Sequence, residues 1–251
     1  MRILVTNDDG INAPGLAVMR QIAAETGSDV WVVAPETDQS GLSHSLTMND
    51  PLRLRKVEQQ IYALRGTPTD CVIMGVREVM PEVPDLILSG VNSGQNISDD
   101  VTYSGTIAAA MEGTMLRIPS IALSQAYDWT SGNPISWEVA GTHASGLIRK
   151  ILDKGIGKGV LININFPNCA AQDVSGIEIT RQGALTHGLF LDKRDDGRRN
   201  PYYWLTHRRQ RQDVIAGTDL DALQRNFISV TPLKMDLTAD EALDHYSDLV
   251  G

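Results

Sequence analysis

The sequence predicts an α/β protein built on a parallel sheet covered on both faces, and three observations predict it. Short apolar runs recur at Ile3-Leu4-Val5, Val30 to Ala34, Leu86-Ile87-Leu88 and Val160 to Ile164. Strands with no polar alternation belong to sheets buried on both sides. A helical pattern separates the first two runs, which makes a β-α-β unit. Polar loops then follow three of the strands directly, at Asn7-Asp8-Asp9, at Ser40 to His44 and at Asn92 to Asn96. Open parallel sheets bind ligands at such carboxyl ends, so these distant loops can meet.

Ile3-Leu4-Val5 stops at Asn7-Asp8-Asp9-Gly10 and reads as a buried strand entering a polar loop. Leu16, Met19, Ile22 and Ala23 follow at helical spacing, and Gly27 closes that helix. Val30 to Ala34 is the next strand, ended by Pro35. Residues 36–50 are rich in Ser, Thr, Gly, Asp and Asn, the composition of a functional loop. Leu52 to Leu64 alternates loosely, as edge strands do. Thr67-Pro68-Thr69-Asp70 is a helix start with Thr as cap, Pro at the first position and an acid in the first turn. Val72, Val76 and Val79 mark one face of that helix. Asp85 to Ser89 is a strand running into a loop, Gly90 to Asn96. Ser104-Gly105-Thr106 opens a helix through Met111, and Ile118 to Leu123 is a further strand. A longer helix runs from about Ile135 to Lys154, with Ala140, Ala144, Leu147, Ile148 and Ile151 inward and Gly155 at its end.

After Pro167 the texture changes. Residues 181–212 have few aliphatics, many Arg and the group Tyr202-Tyr203-Trp204, the pattern of a protruding hairpin or arm suited to contacts between subunits. Arg194, Arg198, Arg199, Arg208, Arg209 and Arg211 make it basic, as a solvated or interface arm. Phe227 to Thr231 is a late strand, and Thr238-Ala239-Asp240-Glu241 has the form of a capping box before a last helix.

The 251 residues suffice for one large domain, with about 181–251 including an extension. The formal net charge of −9 argues against a protein that wraps a nucleic-acid polymer. It leaves room for a small phosphorylated substrate, because a bound dication reverses the local field. Cys71 and Cys169 form no metal-type pair and read as free thiols of a reducing compartment. No leader pattern follows Met1 and no apolar run spans a bilayer, so the expectation is a cytoplasmic protein without membrane contact.

Asp8 and Asp9 carry the strongest chemical signal. Adjacent carboxylates at a strand tip repel unless a cation compensates, and hard cations such as Mg²⁺ take oxygen ligands. Ser40 and Asn92 can add neutral oxygens. The plainer reading is that one Asp caps the following helix. Ser104, Gly105 and Thr106 sit at a helix start where free N–H groups favour an anion, though Ser104 also suits an ordinary cap. His44, in the Ser-rich loop, is a candidate for an electrostatic or proton-transfer role. His143, His187, His207 and His245 receive no chemistry.

With these residues in place, the chain resembles the SurE family of 5′-nucleotidases. The matching stretches are Arg2 to Gly10 with Ala13-Pro14-Gly15, Val32 to Pro35 with Gln39-Ser40-Gly41 and Ser43-His44-Ser45, and Gly66 to Val72. Leu88 to Asn96, Tyr103 to Thr106, Ala109 to Gly113, Asn163 to Pro167, Gly217-Thr218-Asp219 and Val230 to Leu233 continue the match. The resemblance covers essentially the whole chain. It implies a Rossmann-like three-layer core with a C-terminal hairpin extension used in a homodimer or homotetramer. It implies one divalent cation, Mg²⁺ or Mn²⁺, on Asp8, Asp9, Ser40 and Asn92. Asn96, Ser104, Gly105 and Thr106 match positions near the substrate phosphate, and Ser43 and His44 lie in the second motif. Asp8, Asp9 and Asn96 are thus the catalytic candidates. The implied reaction is hydrolysis of nucleoside 5′-monophosphates, with 3′-nucleotides and short polyphosphate as further substrates. Gln95 stands where the family often has Pro, and Asp240 where many members have His, which puts any role for that late His in doubt. Two rivals stand beside this reading. One is phosphoryl transfer to Asp8 itself, although such enzymes usually show Asp-x-Asp. The other is a nucleotide-binding regulator without turnover. A dinucleotide binder is disfavoured, because the first strand lacks GxGxxG.

Overall fold

The structure is a computed structural model that describes residues 1–128, 130–184, 189–207 and 214–249. Its centre is β1 (Arg2–Thr6), inside a nine-stranded sheet. On one side lie β2 (Asp29–Pro35), then β4 (Ile61–Arg65), then β3 (Arg53–Glu58). On the other lie β5 (Leu86–Ser93), β6 (Ser120–Gln125) and β7 (Val160–Phe166), followed by β11 (Phe227–Lys234) and β8 (Gly176–Ile179). The strands from β4 to β7 run parallel, while β3 pairs antiparallel with β4, and β11 antiparallel with β7.

The chain winds outward from β1 to β2 and β4, then returns to β5 on the opposite side. The order therefore reverses between β1 and β5, and the crevice above their carboxyl ends is the expected binding place.

Strand residues alternate between two apolar layers. Ile3, Val5, Val32, Ala34, Leu86 and Leu88 face α1 (Pro14–Thr26) and α4 (Glu138–Lys154). Leu4, Val33 and Ile87 face α2 (Pro68–Met74) and α3 (Gly105–Met115). All nine strand residues are buried, which is why the runs read as continuously apolar. Each Val, Leu or Ile among them contributes about 1.5–3 kcal/mol by leaving water, and Ala34 less. The fold is thus the three-layer α/β architecture that the sequence predicts.

Local chemistry sets the helix ends. Thr67 caps α2 through a capping box: its hydroxyl accepts from Asp70 N–H, and Asp70 accepts from Thr67 N–H at 2.8 Å. Gly155 ends α4, as its position implies.

Two expectations need correction. Residues 90–93 belong to β5 rather than to a loop, with an irregular register between Ser89 and Asn92. Asn92 therefore projects from a strand end. The capping box at Thr238 does not form. Helix α6 (Asp240–Leu243) begins after Ala239 without a side-chain cap, and the Thr238 N–H donates to Asp236. A hairpin of β9 (Leu189–Asp195) and β10 (Pro201–His207) stands apart from the main sheet, but α5 (Asp219–Gln224) and β11 return to it. Arg208, Arg209 and Arg211 of the basic stretch, and His187, lie outside the described residues. Cys71 and Cys169 are free thiols.

Candidate active site

Backbone bonds draw the three loops together at the order reversal. The Asp8 carbonyl accepts from the Gln39 N–H at 2.8 Å, which brings the loop after β2 onto the tip of β1. The Ser93 N–H donates to Asp9 Oδ2 at 3.1 Å, which joins the end of β5 to the same tip. From the other face of the sheet, Thr106 donates its hydroxyl proton to Asp8 Oδ1. Gly105 permits that approach: a Cβ there would lie 2.8 Å from Asp8 Cβ and 3.0 Å from its Oδ2. Any larger residue would push the start of α3 away from Asp8.

Asp8 is buried and Asp9 half-buried, and neither has a positive partner among the described residues. Asp8 is 4% exposed, and burial pushes its pKa up to about 6. The Thr106 bond pulls it down, while the charges of Asp9 and Asp38 push it further up. Asp9 is also raised, first by burial, against the pull of the Ser93 N–H and with the push of Asp38. Neither acid takes part in an ion pair among the described residues.

A divalent cation would answer this imbalance. Among the described residues no three His, Cys, Asp or Glu side chains form a ready cluster. A cation here would take the two carboxylates and neutral oxygens, a donor set that suits Mg²⁺ or Mn²⁺. Asn92 donates through Nδ2 to the Gly94 carbonyl at 2.8 Å, so its Oδ1 is the atom that could serve as a ligand. Ser40 donates its hydroxyl proton to Asp38 Oδ1 at 2.6 Å, and its backbone N–H goes to the same oxygen at 2.7 Å. Ser40 Oγ keeps its lone pairs as acceptors.

The start of α3 lies against the same tip, through the Thr106 bond to Asp8. Ser104 is its cap, accepting from the Ile107 N–H at 3.1 Å, so the plainer reading of that Ser holds. Asn96 is 8% exposed and fixed on all sides. Its N–H donates to Asn165 Oδ1 at 2.8 Å, its carbonyl accepts from Asn163 and Asn165, and its Nδ2 donates to Ser124. Ser43 and His44 fasten the long loop. Ser43 Oγ donates to the Thr102 carbonyl at 2.6 Å, and His44 Nε2 lies 3.1 Å from Glu112 Oε2.

Sequence reasoning missed Asp38, Asn163, Asn165 and Glu112. Two Asn at alternate positions of an otherwise apolar strand were the available signal, since a buried amide needs bonding partners.

Known proteins place this geometry. The family profile described as "Survival protein SurE" matches residues 3–188. The chain is 58% identical over 252 residues to the protein named 5′-nucleotidase SurE of Brucella anthropi, covering 100% of this chain and 98% of that one. It is 58% identical over 240 residues to its namesake in Brucella canis, covering 95% and 94%. The crystal structure of the SurE protein from Aquifex aeolicus superposes with a TM-score of 0.87 at 37% identity, covering 100% of both chains. With the Asp8-Asp9 tip at the order reversal and this likeness along the whole chain, the protein belongs to the SurE family.

Proposed function

We propose that the protein is a metal-dependent phosphomonoesterase that hydrolyses nucleoside 5′-monophosphates to nucleoside and phosphate. The observation that carries this reading is the adjacent Asp8-Asp9 pair, Asp8 buried and Asp9 half-buried, without a cationic partner among the described residues and set against the N-terminus of α3. The names of the Brucella relatives support the substrate class.

In this reading Asp8, Asp9, Ser40 and Asn92 hold one Mg²⁺ or Mn²⁺. The bound ion supplies Lewis acidity toward the phosphoryl group and the attacking water. The Gly105 and Thr106 N–H groups, free at the first turn of α3, receive the phosphoryl oxygens. Ser104 shapes that turn, and Asn96 borders it with a fixed amide. Asp9 accepts from the Ser93 N–H and is held where it can orient water. Charge growing on the equatorial oxygens then meets donors that need no reorganisation. Activity on 3′-nucleotides and short polyphosphate belongs to the same reading, since the elements named grip only the phosphoryl group.

The arm supports assembly into a homodimer or homotetramer. Leu191, Tyr202, Tyr203, Trp204 and Leu205 are exposed on the hairpin, with Leu191, Tyr203 and Leu205 on one side and Tyr202 and Trp204 on the other, an apolar surface suited to a second copy. No described helix is long and apolar enough to cross a membrane.

The test is phosphate release from 5′-AMP, 3′-AMP, a sugar phosphate and tripolyphosphate, with Mg²⁺, with Mn²⁺ and with chelator. Metal-dependent release from 5′-AMP is expected. Tight AMP binding with no release under any metal would favour the regulator reading.

A further inference from the structure

The loop between Asn96 and Ser104 is held by residues from the far end of the chain. Ser98 opens the 3₁₀ turn Ser98–Thr102, is fully buried and has φ of 53°. A left-handed backbone is costly for a non-glycine residue and persists only where the surroundings enforce it.

Every polar group of Ser98 is taken from the C-terminal region. Its N–H donates to Asp219 Oδ2 at 2.8 Å, and its hydroxyl donates to Asp219 Oδ1 at 3.2 Å. Its carbonyl accepts from Gln182 Nε2 at 2.9 Å. Asp219 is itself 0% exposed, and Oδ1 also accepts the N–H groups of Gly183 at 3.0 Å and Leu220 at 2.9 Å. Donors from three chain segments thus satisfy a buried carboxylate that pairs with no cation among the described residues.

The fit at Gly183 is equally specific. A Cβ there would fall 2.6 Å from Ser98 Oγ and 3.0 Å from Asp219 Oδ1. Only glycine brings that segment against the loop. The same place is the root of the arm: the Arg181 N–H donates to the Gly217 carbonyl at 3.0 Å, and the Asp219 N–H to the Arg181 carbonyl at 2.9 Å.

We propose that Asp219, Gln182 and Gly183 form a clamp that positions the Asn96–Ser104 loop for phosphate binding. The C-terminal region then acts in the reaction through Ser98, as a set of positioning residues. This rests on the phosphate-site reading above. It adds that the base of the arm and the phosphate loop share one carboxylate.

Asp219→Asn is the first test. An amide offers an acceptor at one end only, so its NH₂ end must meet N–H or O–H donors. Two quantities are measured on the full chain: affinity for inorganic phosphate, and amide hydrogen exchange across residues 94–104. The reference is Ile148→Ala, a buried change in α4 that loses stability elsewhere. We expect phosphate affinity to fall tenfold or more and exchange across 94–104 to rise tenfold or more in Asp219→Asn, with neither moving in the reference. Adding Ser98→Gly to Asp219→Asn restores part of the affinity, because glycine adopts the left-handed conformation without enforcement. Should Asp219→Asn fail to fold, Gln182→Ala, which removes one bond made by an exposed side chain, gives the same pattern at smaller size. Equal behaviour of the clamp variants and Ile148→Ala would overturn the proposal. If exchange responds while wild-type protein neither binds phosphate nor releases it from AMP, the clamp holds the loop but the phosphate reading fails.

Discussion

Asp8 and Asp219 are both buried carboxylates, and their surroundings are opposite. Asp219 receives four hydrogen bonds from N–H and O–H donors. Asp8 receives one side-chain bond, from Thr106, and has Asp9 and Asp38 close enough to raise its pKa. Burial alone therefore does not mark function. What distinguishes the two is whether the protein itself completes the carboxylate. At Asp219 it does, and the result is a fixed joint. At Asp8 it leaves negative charge uncompensated, the imbalance that the proposed cation would answer.

One substitution made at both places tests that contrast, and the largest effect belongs to Asp8→Asn. Phosphate release should fall by about 10³-fold or more, as expected when a group that anchors transition-state stabilisation is lost. Yet the metal-free variant should be more stable than wild type near neutral pH. Asp8 has a folded pKa of about 6 against an ordinary value of 3.8, so the native state holds the extra proton between those values. Stability then falls as pH rises through that window, and the full penalty stands above it. Asp8→Asn removes up to about 3 kcal/mol of this penalty at pH 7.5 and almost none near pH 4. Urea denaturation with chelator at both pH values reads it. A variant less stable than wild type at pH 7.5 would mean that Asp8 is as well satisfied as Asp219.

Asp219→Asn should move stability the other way, with a loss of about 2–4 kcal/mol at pH 7.5 because buried donors lose their acceptor. A gain, measured in the same denaturation series, would erase the contrast. Metal sharpens it further. Mg²⁺ or Mn²⁺ at a hundred times its Kd should stabilise wild type and Asp219→Asn by about 2.7 kcal/mol. Asp8→Asn should show little of that gain, and thermal unfolding with and without metal is the measurement.

The same contrast explains what the sequence could show. The Asp8-Asp9 tip was legible because an apolar run ends abruptly in charges, a signal within a few residues. The Thr67 cap was legible for a similar reason, since its partner Asp70 lies three positions away. The three strand-end loops could be brought together from topology alone. The clamp could not. Ser98 and Asp219 are 121 residues apart, and Asn96 and Asn165 are 69 apart. No local pattern says which polar residue will meet which. β8 was missed because four residues at a sheet end, alternating in burial, carry almost no periodic signal. The Thr238 capping box failed where the local pattern was present, because Asp236 engages Thr238 N–H and the helix lasts a single turn.

The smallest effect separates docking from chemistry in the loop after β2. His44 is close to Glu112, and Ser43 is bonded to the Thr102 carbonyl, so both fasten the loop that also carries Ser40. His44→Ala should therefore raise KM a few-fold and leave kcat within about twofold, the size of a partly exposed polar pair. Glu112→Ala should do the same. The double variant should then be no worse than either single one, since each removes the same contact. Steady-state kinetics on the four proteins decides it. A hundredfold fall in kcat for His44→Ala, undiminished in the Glu112→Ala background, would place the imidazole on the reacting phosphate and make this loop part of the chemistry.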